Sequence, residues 1–208
     1  MSIGIPKFSI VVIAKNEAKT LPRLLSSLKE FLSLGGEIIV LDTGSTDDTV
    51  KVAKAGGCKV TEVGNKFIEV VDETEADAIN KKFIVEGENN AVSGGEKYFN
   101  FGAARNFAAS LASNDMVSMP DCDEEFTKLD IEKINNVILS GIQQIEFNFV
   151  FAHDAYGNES CKFIQCKFYN RTLMHWVGII HEVLSGSANR LLLGEDILKI
   201  EHWQNLET

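Results

Sequence analysis

The chain has 208 residues, of which 45% are hydrophobic, enough for one domain with a substantial core. Thirty acids against 20 basic residues give a formal net charge of -10, a surface that repels phosphate backbones, so nucleic acid is not an expected partner. No apolar run approaches the roughly 20 residues that span a bilayer, and the N-terminus has no basic start or small-residue cleavage site; both predict a cytoplasmic protein without a transmembrane segment.

The run "KFSIVVIAK" predicts a strand covered on both faces, and Leu21, Leu24, Leu25, Leu28 and Leu32 then recur at helical spacing. Thr20 is a candidate cap for that helix, Pro22 fits its first turn, and Gly35-Gly36 ends it before a second strand, "EIIVLD". Ser45 and Asp48 have capping-box spacing at the head of a second helix, which Gly56-Gly57 closes before a third strand, "CKVTEV". Strand and helix in alternation predict an α/β fold with a mostly parallel, Rossmann-like central sheet, helices on both faces, and ligands at the C-terminal strand ends. Residues 64–99 break the rhythm: eight acids and two lysines lie between Glu69 and Glu96, which predicts a solvated loop excursion at the sheet edge. An Ala-rich helix, "FGAARNFAASLA", and the strand "DMVSM" follow. Ile131, Ile134 and Ile138 mark an amphipathic helix, and "QQIEFNFVFAH" and "CKFIQCKFYN" alternate like paired strands joined by "DAYGNES". Cys58, Cys122, Cys161 and Cys166 lack C-x-x-C spacing and predict buried free thiols rather than a zinc site.

The stretch "VSMPDCDEEF" concentrates acids where a buried strand is about to end. In extended geometry Asp121 and Asp123 project to one side, and two carboxylates that close repel unless a cation lies between them. A hard divalent ion that also takes phosphate oxygens from a substrate answers that need. The alternative is that Asp123, Glu124 and Glu125 solvate and cap the following helix. No P-loop and no G-x-G-x-x-G is present, which argues against nucleotide hydrolysis and a dinucleotide cofactor.

Five segments, "FSIVVIAKNEAKTLPRLLSSL", "EIIVLDTGSTDDT", "FGAARNFAAS", "MPDCDEEF" and "WVGIIHEVL", occur in the order seen in glycosyltransferase family 2, and the chain is most similar to the branch with bacterial lipopolysaccharide-core sugar transferases. The resemblance implies the GT-A fold across 1–208 as one domain. Its nucleotide-binding half covers about 1–125, its acceptor-side half about 126–208, and relatives continue into further helices or domains. It also implies an inverting transfer from a UDP-sugar to the hydroxyl of a saccharide, a lipid-linked glycan or a protein, with Mn2+ or Mg2+ as cofactor. By resemblance Asn16 and Glu17 surround the nucleoside, Asp42 contacts the uridine, and Arg105 lies near the diphosphate. Asp121 meets ribose or sugar and shares the metal with Asp123, and His202 is the third protein ligand. Pro120 and Cys122 depart from the family's usual apolar and small residues. Glu182 is the expected base, on the face opposite the leaving diphosphate, with His181 as its alternative and His153, Asp154 and Asp196 in reserve. A catalytically inactive nucleotide-sugar-binding module and a metal-dependent nucleotidyltransferase are the competing readings.

Overall fold

A computed structural model describes residues 4–83, 92–179 and 182–203. In chain order the elements are β1 (Phe8–Ala14), α1 (Leu21–Ser27), α2 (Lys29–Ser33), β2 (Glu37–Asp42), α3 (Thr49–Ala55), β3 (Lys59–Glu62), β4 (Ile68–Val70), α4 (Glu73–Phe83), β5 (Lys97–Phe99), α5 (Phe101–Ser110), β6 (Met116–Ser118), β7 (Glu124–Leu129), α6 (Ile131–Leu139), β8 (Gln144–His153), β9 (Glu159–Asn170), β10 (Met174–Val177), β11 (Val183–Gly186), β12 (Arg190–Leu193) and β13 (Leu198–His202).

Among the described residues nine strands build one mixed sheet, mostly parallel by its pairings. Its first half, β3-β2-β1-β6, is wholly parallel. The long hairpin β8-β9 then joins antiparallel to β6, and β12 and β13 take successive stretches of the other edge of β8. β7 closes the order antiparallel to β13.

Side-chain alternation sorts the strands onto two cores. Phe8, Ile10, Val12, Ile38 and Val40 face α1, α2, α3 and α6, with Phe8 tilted against Phe31 at 5.1 Å and Phe168 at 5.2 Å. Val11, Ile39, Leu41 and Val117 face the other way, onto Ala104, Ala108 and Ala109 of α5. The small side chains of α5 let the helix lie close to the sheet, and this places Arg105 next to the strand ends.

Several local expectations are corrected. The first leucine repeat is two short helices, broken at Leu28, whose N–H bonds back three residues to Leu25. Thr20 does not cap; its hydroxyl donates to Glu17 instead. Neither Ser45 nor Asp48 forms a capping box: Ser45 Oγ accepts from Asn16 N at 2.9 Å, and Asp47 accepts from the Thr49 N–H at 2.9 Å. Gly35 at φ 82° supplies the left-handed turn before β2. Residues 64–99 are not a bare loop. β4 and β5 pair antiparallel and α4 packs beside them, with Ala76 and Val71 buried; residues 84–91 of that expectation lie outside the described residues. Cys161 is exposed rather than buried, because it lies on the outer part of β9, while Cys122 is buried and Cys58 and Cys166 partly so.

Candidate active site

The C-terminal ends of β1, β2 and β6 open onto a cleft of about 560 Å³. Its floor is Ile13, Ala14, Glu17 and Thr43 from the first two strands, and one wall is Asp121 to Glu124. Aromatic rings complete the lining: Phe149, Phe151 and Phe163 from the β8-β9 hairpin, with Phe99 and Phe101.

The acidic segment does not leave β6 extended. Glu124 N bonds to Asp121 O at 3.2 Å, which closes a turn over Cys122 and Asp123. That turn sends the two aspartates to different partners, so the expected convergence on one point is replaced by a division. Asp121 accepts from Arg105 Nη2 at 3.1 Å and from Lys167 Nζ at 2.8 Å. Asp123 Oδ2 lies 3.0 Å from His202 Nε2. Cys122, at the apex, buries its thiol against the Ile13 carbonyl at 3.4 Å. Among the described residues no three His, Cys, Asp or Glu side chains gather as a metal group, so Asp121, Asp123 and His202 do not stand as a preformed trio.

His202 arrives through register: β13 pairs antiparallel with β7 so that His202 lies opposite Glu124, one residue from Asp123. Its Nδ1 is 3.0 Å from the Phe151 carbonyl, which can only accept, so Nδ1 carries a proton. A neutral ring in that tautomer presents the Nε2 lone pair to the Asp123 carboxylate. That contact is favourable only with a cation between them, a proton or a divalent ion. One carboxylate oxygen and one imidazole nitrogen at the cleft wall are a donor pair that fits a manganese-like ion.

Beneath this pair lies a buried charge network that sequence reasoning missed. Lys167 bonds to both Asp121 and Glu124, and Glu124 Oε2 accepts from Asp121 N at 3.1 Å. Burial pushes the Glu124 carboxyl above its ordinary range despite Lys167. Lost solvation also works against the Asp121 anion, but Lys167 and Arg105 outweigh it and hold that carboxyl well below the usual range. Burial opposes the Lys167 charge as well, yet its two carboxylates keep it raised above an ordinary lysine. The available signal was the alternation of Phe163, Gln165 and Lys167, which puts a lysine on the face of β9 that lines the cleft.

Arg105 Nε donates to Glu182 at 2.5 Å, so one guanidinium bridges Glu182 and Asp121, with the Trp176 ring 5.1 Å away. Glu182 therefore sits behind Arg105, linked to the cleft through it. His181 lies outside the described residues.

The nucleoside-side residues divide as well. Glu17 lines the cleft. Asn16, at φ 59°, holds the loop after β2, its side-chain oxygen accepting from Thr46 N at 2.8 Å. Asp42 is buried and folds that same loop by accepting from Gly44 N at 3.1 Å, and Thr43 takes its place in the cleft lining. His153 pairs with Glu201 at 2.9 Å and stacks on Trp203, Asp154 holds the β8-β9 turn, and Asp196 meets Lys133 at 3.5 Å.

Residues 9–67, from β1 to the start of the 64–99 segment, match the family described as Glycosyl transferase family 2. Over that segment the chain is similar to glycosyl transferase family 2. An uncharacterized glycosyltransferase of Rickettsia felis is 26% identical over 189 residues, covering 88% of this chain and 54% of the relative. The 4,4'-diaponeurosporenoate glycosyltransferase of Staphylococcus haemolyticus is 44% identical over 65 residues, 29% of this chain and 17% of its own. The chain thus spans about half the length of the Rickettsia relatives it matches. Among solved structures, S. aureus TarS shares 20% identity at a TM-score of 0.49, over 71% of this chain and 22% of its own. Glucosyl-3-phosphoglycerate synthase from Mycobacterium tuberculosis, solved with Mn2+, UDP and phosphoglyceric acid, shares 25% at 0.43, over 69% and 43%. At those scores the structural likenesses carry no weight for function. No helix among the described residues is long and apolar enough to cross a membrane.

Proposed function

We propose that the protein is a nucleotide-sugar glycosyltransferase of the GT-A type that moves a sugar from a UDP-sugar to an acceptor hydroxyl with inversion. The observation that carries this reading is the cleft at the parallel strand ends in which the Asp123–His202 pair and the cation-backed Asp121 share one wall. The family match supports the donor half, because the matched residues 9–67 build the cleft floor.

Asp123 and His202 would hold the divalent ion, which when bound supplies the positive charge that a departing diphosphate needs. Arg105 carries a second positive charge to the same side of the cleft. Glu17 and Thr43 line the nucleoside end, and Asn16 and Asp42 keep its loop folded. The aromatic wall excludes water and offers flat apolar faces of the kind sugar rings stack on. Glu182 is the proposed base for the acceptor hydroxyl; the structure holds its carboxylate on Arg105, behind the cleft lining.

Thermal unfolding with a panel of nucleotides, with and without Mn2+, tests the donor half. UDP at about a hundred times its Kd adds about 2.7 kcal/mol, or about 5–10 °C for a chain of this size. The shift should need Mn2+ and shrink in Asp123→Asn. A panel in which no nucleotide raises Tm, with or without Mn2+, overturns the reading. Glu182→Gln should keep the UDP shift and lose Mn2+-dependent donor turnover; near wild-type turnover would place the base elsewhere. Donor turnover by the wild type also separates an enzyme from an inactive binding module.

A further inference from the structure

We propose that Lys167 is a positioning residue that turns Asp121 toward the donor and away from the divalent ion, leaving Asp123 and His202 as the ion's protein ligands; this rests on the nucleotide-sugar reading. Both oxygens of Asp121 are already engaged by protein cations, Oδ1 by Arg105 Nη2 at 3.1 Å and Oδ2 by Lys167 Nζ at 2.8 Å. A divalent ion drawn to Asp121 would have to approach a guanidinium and an ammonium of its own sign, and in a partly desolvated cleft that repulsion is strong. The carboxylate keeps lone pairs for a hydroxyl, which brings no charge, and ribose and sugar hydroxyls are what a nucleotide-sugar presents.

Lys167 is built for this role. Its side chain is only 8% exposed, and its amine has two carboxylate partners, Asp121 and Glu124, and the Phe149 ring at 5.1 Å. Its backbone is pinned next to the acidic turn, since Met119 N bonds to Lys167 O at 2.8 Å. A buried ammonium persists only where its charge is matched, and here the matching carboxylate on the cleft side is the first aspartate of the motif. Without Lys167, Asp121 would keep Arg105 as its one cation partner, and its Oδ2 would be free to turn toward an ion held by Asp123 and His202. That is a tighter ion site and a poorer hydroxyl site.

The test measures Mn2+ affinity without nucleotide, by electron paramagnetic resonance, and UDP affinity at saturating Mn2+, by calorimetry, for the wild type, Lys167→Met, Lys167→Arg and Asp121→Asn. Lys167→Met should bind Mn2+ about tenfold tighter and UDP about tenfold weaker, the scale of one charged hydrogen bond, and Lys167→Arg should restore both to within about threefold. Unchanged Mn2+ and UDP affinities in Lys167→Met overturn the proposal. Should Lys167→Met fail to fold, Asp121→Asn decides. Weaker UDP binding with Mn2+ affinity kept supports the assignment, and loss of Mn2+ affinity in the absence of nucleotide overturns it by making Asp121 an ion ligand. A wild type that binds no UDP brings down the nucleotide-sugar reading itself, whereas a wild type that binds UDP beside an indifferent Lys167→Met brings down only the role of Lys167.

Discussion

Replacing Arg105 by methionine keeps the length of the side chain and removes the charge that Glu182 and Asp121 share. The arginine side chain is 14% exposed and Glu182 11%, so the pair belongs to the buried regime, where loss of one partner costs about 3–5 kcal/mol, and not to the surface regime of about 0.2–1 kcal/mol. Asp121 is more open, and Lys167 stays beside it, so most of the cost falls on the orphaned Glu182. For a chain of this length, about 3 kcal/mol corresponds to a fall in Tm of about 6–12 °C. Adding Glu182→Gln removes the orphaned charge and should recover more than half of that loss, so the two substitutions together cost less than their sum. Denaturant or thermal unfolding of the wild type, both single variants and the double variant closes the cycle. A loss below about 1 kcal/mol in Arg105→Met, or no recovery in the double variant, would refute the claim that Arg105 and Glu182 form a buried unit.

Gly102→Ala places a Cβ 2.3 Å from the Gly178 carbonyl oxygen, so the segment leading to Glu182 has to move. Stability should fall by about 1–3 kcal/mol through overpacking, and donor turnover should fall with it; a rise in Tm, as for an ordinary helical Gly→Ala, would show that the segment yields freely. Glu37 is held down to about 2: burial works against its charge, but Lys59, Ser9 and Ser113 outweigh it. A carboxyl with a depressed folded value contributes stability that is complete above the ordinary value near 4.5 and is lost as pH falls toward about 2. Glu37→Gln should therefore be less stable than the wild type at pH 6, with a gap that closes between about pH 4.5 and 2; a constant gap would contradict the assignment. Ellman's reagent should titrate Cys161 quickly in the folded protein and reach Cys58, Cys122 and Cys166 only on unfolding, since burial pushes the thiols of Cys58 and Cys166 up to about 11 and that of Cys122 well above its ordinary value. Two or more fast thiols would contradict the packing around β9.

The order of strands and helices was legible because its signals are local. The run before Ala14, the repeat from Leu21 and the alternation in β8 and β9 each repeat within a few residues, and such periods decide which face is buried before any long-range contact forms. The place of the cleft was legible for the same reason, since alternating strands and helices leave a crevice at C-terminal strand ends. Asp123 and His202 were singled out, as were Arg105 and Glu182, and the structure brings each pair into contact. What the chain could not display locally is which charge meets which. The turn from Asp121 to Glu124 aims the two aspartates apart, and the registers of β9 against β6 and of β13 against β7 bring Lys167 to Asp121 and His202 to Asp123. Asp42 and Asn16 likewise proved to be loop-holding residues because the groups they bond, Gly44 and Thr46, were close enough to take them. The sequence alone determined the α/β sheet and the residues gathered at its edge. Only the tertiary structure decided their pairings, because Coulomb attraction and hydrogen bonding act over a few ångströms and do not follow separation along the chain.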